Sequence, residues 1–139
     1  MNRDKLWFIT GCSTGMGRDI ALEALERGYR VVLTARNPDS VADLVARWPA
    51  RASAVALDVT DRGQIERAVA QARAIGPIDV LVNNAGYGYL AAIEEGDEAE
   101  VRAMFETNFW GLLAVTRAVL PQMRERRSGQ IINNSSQAG

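Results

Sequence analysis

Thr10-Gly11-Cys12-Ser13-Thr14-Gly15-Met16-Gly17 is the stretch on which the fold of this chain turns. The short apolar run Leu6 to Thr10 precedes it and predicts a strand. Gly15 to Arg27 follows and predicts a helix, with Ile20, Ala21, Ala24 and Leu25 on one face and Gly28 as its stop. Glycines at a strand-to-helix turn let the backbone bend tightly and approach a ligand closely, while the helix start adds free N–H groups and a positive partial charge. The loop is therefore a candidate pyrophosphate cradle. Its spacing is Gly-x3-Gly-x-Gly rather than Gly-x-Gly-x2-Gly, and a plain turn would call for one glycine, not three. Cys12 reads as a small loop residue rather than a reactive thiol, although a helix start can lower a thiol pKa.

The alternation continues outward from the loop. Arg30 to Ala35 predicts a second strand, and Pro38 opens a helix that ends before Pro49. Ala54 to Leu57 predicts a third strand. Asp61 caps a helix carrying Ile65, Ala68, Val69, Ala72 and Ile75, stopped by Gly76. Ile78 to Val82 predicts a fourth strand. Asp97 with Glu100 forms a capping-box pattern for a helix running through Phe109, Leu112, Leu113, Val119 and Met123 to Arg127. Gln130 to Asn134 predicts a fifth strand. Strands that read as continuous apolar runs, separated by helices, call for a parallel sheet covered on both faces: an α/β, Rossmann-like, doubly wound fold, with residues 1–139 as one domain.

Bulk properties exclude several classes. A formal net charge of -1 gives no electrostatic reason to expect nucleic acid or an anionic membrane surface as partner. Cys12 is the single cysteine, so no intramolecular disulfide forms within these residues. The amino-terminal apolar run is too short for a signal peptide, and no run approaches the roughly 20 apolar residues of a membrane-spanning helix. A cytoplasmic location is expected, and no residue pattern calls for a metal.

The end of the second predicted strand, about 20 residues after the loop, is where an acidic side chain would grip the ribose 2′-hydroxyl of NAD. This chain has Ala35-Arg36-Asn37 there. A guanidinium can hold a 2′-phosphate through forked, charge-assisted hydrogen bonds, which favours NADP(H) over NAD. The missing acid also counts against an S-adenosylmethionine methyltransferase.

With these residues in place the sequence resembles the short-chain dehydrogenase/reductase family. The resemblance rests on Thr10-Gly11-x3-Gly15-x-Gly17, Leu57-Asp58-Val59-Thr60, Asn83-Asn84-Ala85-Gly86, Asn108 within Glu106-Thr107-Asn108-Phe109, and Ile131-Ile132-Asn133-Asn134-Ser135-Ser136, in that order. It implies that Gly11, Ser13, Thr14, Gly15, Met16 and Gly17 form the pyrophosphate loop, that Ala35 and Arg36 flank the adenosine ribose, and that Asp58 and Val59 hold the adenine. It further implies that Asn84, Ala85 and Gly86 line the nicotinamide half, that Asn108 carries a water in a proton relay, and that Ser136 hydrogen-bonds a substrate hydroxyl or carbonyl. Asn134 stands where the family usually has an apolar residue.

The implied activity is hydride transfer between a nicotinamide and a secondary alcohol or ketone, steroid- or retinoid-like by likeness of Thr10 to Ser13 and Asn84 to Gly88 to that branch. A homo-oligomer, dimer or tetramer, is also implied. The alternative is a non-catalytic nucleotide-binding or interaction module. The family's general acid/base is a tyrosine with a lysine four residues on. Tyr29, Tyr87 and Tyr89 are followed at that spacing by Leu33, Ala91 and Ile93, and Lys5 is the single lysine among sixteen Lys and Arg residues. The resemblance places that pair past Gly139, so the sequence holds five strands of about seven expected for the family fold, and no appreciable dehydrogenase activity is expected of these residues alone. Tyr87, Tyr89 and Leu90 are candidate substrate-pocket residues or ordinary loop. Trp110, Phe109, Leu112, Leu113 and Val119 read as core or subunit interface.

Overall fold

The computed structural model describes residues 3–137; the single domain expected over 1–139 therefore has its first and last two residues outside this description. Five strands, β1 (Leu6–Ile9), β2 (Arg30–Ala35), β3 (Ala52–Ala56), β4 (Ile78–Asn83) and β5 (Gln130–Asn133), form one sheet in the order β3-β2-β1-β4-β5. Every pairing is parallel. Parallel neighbours need crossovers, and the chain supplies them with α1 (Gly15–Glu26), α2 (Ala42–Arg47), α3 (Arg62–Ile75), α4 (Glu98–Phe105) and α5 (Leu112–Arg126). The expected doubly wound, Rossmann-like sheet is the fold observed.

Both faces of the sheet are covered, which is why its central strands carry almost no polar residues. On one face Leu6, Phe8, Val32 and Leu81 pack with Ile65, Ala68 and Val69 of α3 and with Val115, Val119 and Met123 of α5. On the other, Ile9, Val31, Leu33, Val80 and Val82 pack with Ala21, Ala24 and Leu25 of α1 and Leu44 of α2. Helices therefore change face between α2 and α3. The strand order reverses at the same step: β2 and β3 lie on one side of β1, and β4 and β5 on the other. This topological switch sends the chain to opposite faces of the sheet after β1 and after β4, and leaves a crevice above the carboxyl ends of the strands.

Several local expectations shift. The third strand starts two residues earlier than its apolar pattern indicates and ends at Ala56. The helix opened by Pro38 begins as a single 3-10 turn, Pro38–Val41, with the Asn37 side chain accepting from Asp39 N–H. Asp61 caps α3 by accepting from Gln64 N–H. The capping box at α4 is half made. Asp97 accepts from the amides of Ala99 and Glu100, but its own N–H donates to Tyr89 Oη at 2.9 Å instead of to Glu100. The long helix expected through Phe109 to Arg127 is broken by a π-helical segment, Glu106–Gly111, between α4 and α5. β5 is an edge strand with exposed faces, and Ile132 is partly open to solvent.

Candidate functional site

The loop after β1 is built to bring backbone close to backbone. Gly11 has φ +68°, in the left-handed region, and a Cβ there would lie 2.9 Å from Ala85 Cα. Gly17, buried in the first turn of α1, is tighter still: a Cβ would sit 2.2 Å from Gly11 O and 2.3 Å from Asn84 Nδ2. Gly15 differs. Its φ is +62° and a Cβ would meet nothing within 4 Å, so it faces the open crevice. The three glycines thus do separate jobs: Gly11 and Gly17 let the loop fold onto β4, and Gly15 lets it turn while leaving room in front.

Side-chain and main-chain bonds fix the loop. Thr10 Oγ1 accepts from the amides of Asn84 (3.0 Å) and Ala85 (2.9 Å). Asn84 Nδ2 returns bonds to Thr10 O (3.2 Å) and Gly11 O (3.1 Å). Cys12 N–H donates to Thr34 O, anchoring the loop to β2, and the thiol donates to Ile9 O. Burial pushes the Cys12 thiol up to about 12, so it stays protonated; the helix start does not activate it. At the start of α1, Thr14 occupies the cap position in extended conformation but its side chain makes no capping bond. The first amides of the helix are left to an outside acceptor, the arrangement that binds phosphate.

These elements wall a crevice of about 850 Å³, within the range of small-molecule sites. Of the sequence-derived candidates, Gly11, Ser13, Thr14, Gly15, Met16, Ala35, Arg36, Asp58, Val59, Asn84, Ala85 and Gly86 line it. These residues come from four separate stretches of sequence and converge there because each stretch lies at the carboxyl end of one of the parallel strands β1 to β4. Gly17 lies beneath the loop rather than on the crevice wall, and its contribution is the close approach just described.

At one end, Arg36 is exposed and makes no ion pair among the described residues. Nearby Asp58 Oδ1 accepts from Thr60 Oγ1 (2.7 Å) and Thr60 N–H (2.9 Å). Those bonds, first the hydroxyl and then the amide, with the positive charge of Arg36 adding, hold the Asp58 carboxyl below its ordinary range. Val59 is buried against Gly111, where a Cβ would lie 2.6 Å from Val59 Cγ2; the π segment can approach the crevice floor only at a glycine.

Asn108 and Ser136 are placed differently from the rest. Asn108 sits in the π segment, and both ends of its carboxamide are engaged with one backbone residue: Oδ1 accepts from Tyr87 N–H (3.0 Å) and Nδ2 donates to Tyr87 O (2.7 Å). Gly86 makes room for that clasp, since a Cβ there would meet Asn108 Oδ1 at 2.8 Å. Ser136 is exposed beyond the end of β5, outside the crevice lining. Sequence reasoning overlooked Glu106 and Thr107, which line the crevice immediately before Asn108, and Asn134, which closes it from the end of β5. The two former residues directly precede Asn108 in the quoted motif, so their signal was adjacent to one already read. Of the candidate pocket residues, Tyr87 lines the crevice; Tyr89 is spent on Asp97, and Leu90 is fully exposed. Of the apolar stripe, Val119 is core, whereas Phe109 and Trp110 are half exposed and pack edge to face.

Fold and crevice together define a protein of the dinucleotide-binding α/β class. The family model described as short chain dehydrogenase matches residues 5–139. A crystal structure of a short-chain dehydrogenase from Streptomyces avermitilis superposes with a TM-score of 0.93 at 48% identity, over 97% of this chain and 50% of that one. The oxidoreductase BOA17 of Botryotinia fuckeliana is 44% identical over 97% of this chain and 50% of its own length. The 3-ketodihydrosphingosine reductase of Bacteroides thetaiotaomicron is 39% identical over 94% and 46%. The chain belongs to the short-chain dehydrogenase family of NAD(P)-binding oxidoreductases. It spans about half the length of the curated relatives it matches. No helix among the described residues is long and apolar enough to cross a membrane.

Proposed function

We propose that the crevice binds NADP(H) and forms the cofactor half of an oxidoreductase that interconverts a secondary alcohol and a ketone. The carrying observation is the pairing of an uncapped helix start behind Gly15 with an unpaired, exposed Arg36 at the far end of the same crevice. The residues fit the cofactor: Gly11, Ser13, Thr14, Gly15 and Met16 would wrap the pyrophosphate, and Arg36 the 2′-phosphate. Asp58 and Val59 would hold the adenine, and Asn84, Ala85 and Gly86 the nicotinamide half. The bound cofactor supplies the hydride. Ser136 would hydrogen-bond the substrate oxygen, and Asn108 would hold a relay water in the whole enzyme. A small, apolar alcohol or carbonyl compound of steroid- or retinoid-like character is the substrate class proposed. The 139 residues contain no tyrosine with a lysine four residues on, so they bind cofactor without appreciable turnover.

Exposed Phe105, Phe109, Trp110 and Leu120 on α4, the π segment and α5 support a homo-oligomer, and a formal net charge of -1 gives nucleic acid or an anionic membrane surface no electrostatic attraction as partner. Comparative titration with NADPH, NADH and S-adenosylmethionine tests the cofactor reading. A charge-assisted bond of about 1.5–3 kcal/mol from Arg36 makes NADPH about tenfold or more tighter than NADH. Preference for NADH or for S-adenosylmethionine would overturn it.

A further inference from the structure

Asn134 is a polar side chain of the crevice wall whose bonds all run between elements. Asn134 follows the last residue of β5. Its N–H donates to Asn83 O at 3.0 Å, extending the β4–β5 ladder by one step and fixing where its side chain starts. From there Nδ2 donates to Asn84 Oδ1 at 2.9 Å and to Met16 Sδ at 3.1 Å. Both protons of the amide are therefore committed, one to the end of β4 and one to the first turn of α1. Asn84 is the same residue whose Nδ2 holds Thr10 O and Gly11 O. The two asparagines form a chain of bonds from β5, through β4, to the glycine loop, with Met16 as a second branch onto α1.

We propose that Asn134 is a cofactor-positioning residue, a carboxamide brace that sets Asn84 and Met16 and so holds the phosphate loop in its binding geometry. Two constraints single out an amide. Asn84 cannot rotate to offer a donor instead, because its own Nδ2 already serves two carbonyls. The group facing Asn84 Oδ1 must donate, and must have a second proton for the thioether. A carboxylate of the same shape would face Asn84 Oδ1 with an acceptor, and an aliphatic side chain would leave both Asn84 Oδ1 and Met16 Sδ to solvent. Met16 is 58% exposed, so without the brace its long, unbranched side chain is free to rotate across the crevice entrance. This role rests on the proposed cofactor reading for its functional consequence, but the brace itself is a property of the unliganded chain.

Two measurements on the wild-type chain, Asn134→Leu and Asn134→Asp separate the cases. Hydrogen exchange without ligand is expected to show faster exchange confined to Gly11–Gly17 and Asn84 in both variants, with the α3 and β2 amides unchanged. NADPH titration is expected to show affinity about five- to tenfold weaker for Asn134→Leu, the loss of one to two ordinary hydrogen bonds, and weaker again for Asn134→Asp despite its closer shape and polarity. Combined with Met16→Leu, Asn134→Leu should cost less than the product of the two single effects, because one bond is shared.

Wild-type exchange in the glycine loop of Asn134→Leu overturns the brace even where NADPH binds the wild type, and leaves the cofactor reading standing. Faster exchange spread over the whole chain overturns it in favour of a merely structural role. An Asn134→Asp variant that binds as well as the wild type also overturns it. Failure of NADPH to bind the wild type, with loop exchange still loosened by Asn134→Leu, supports the brace and overturns the cofactor reading alone.

Discussion

Replacing Gly17 by alanine puts the central geometric claim under direct strain. The new Cβ would stand 2.2 Å from Gly11 O and 2.3 Å from Asn84 Nδ2, and carbon needs more than 3 Å from such atoms, so about 1 Å of movement is required. Neither neighbour gives easily. Gly11 O is backbone, and Asn84 Nδ2 is bonded to Thr10 O and Gly11 O. Overpacking of this kind costs about 1–3 kcal/mol, a melting shift of about 3–10 °C for a chain of this length. Because the atom pushed aside is the loop itself, NADPH affinity should fall by about an order of magnitude or more, as expected when a site is displaced by about 1 Å. Gly15→Ala is the control: no atom lies within 4 Å, so its cost is the left-handed backbone alone, about 1–2 kcal/mol. Thermal melting and NADPH fluorescence titration of both variants decide the matter. A Gly17→Ala chain that melts and binds like the wild type would refute the close-approach account.

Three further outcomes follow from the same structure. Cys12, buried with its thiol pushed up to about 12, should resist a thiol reagent at pH 8 in the native chain and react fully in denaturant; rapid native labelling would contradict its placement. Asp58, held below the ordinary carboxylate range by Thr60, contributes stability that is present above about pH 4, the unfolded value, and lost as pH falls through its depressed folded value. Thr60→Val should raise its titration midpoint toward the ordinary range in a carboxyl NMR titration, and an unmoved midpoint would remove the hydroxyl from the account. Arg127 closes α5 in the left-handed region with φ 52°, where glycine is the favoured cap. Arg127→Gly should stabilise by about 0.5–1 kcal/mol once the unfolded-state cost of glycine is subtracted, and a lowered melting temperature would tell against that strain.

How far the sequence carried the reading depended on how local each feature is. β2 is legible to the residue because Arg30 to Ala35 is apolar, β-branched and flanked by Gly28 and Pro38. β3 is not, because Ala52 and Ser53 give no alternation and are strand only by pairing with Val31 and Val32. The π segment left no mark on the helical pattern, since apolar residues continue at helical spacing on either side of it. Its cause is tertiary: Gly111 packs onto Val59, and Asn108 clasps Tyr87. The Asp97–Glu100 pattern misled for the same reason, a tyrosine hydroxyl eight residues upstream having taken the amide that Glu100 would serve. The crevice was legible because its parts sit at strand ends, whose positions topology fixes. That Asn84 serves the loop from behind, and that Asn134 braces Asn84, could not be read from spacing, because both depend on which strands become neighbours.

Amide chemical-shift mapping during an NADP⁺ titration of the uniformly labelled chain tests the central claim most directly. The account predicts saturable shifts concentrated at Gly11, Thr14, Gly15, Arg36, Asp58 and Ala85, with the 2′-phosphate end lost from the set when NAD⁺ replaces NADP⁺. A folded chain whose amides do not move with NADP⁺, or move only away from that crevice, would contradict it.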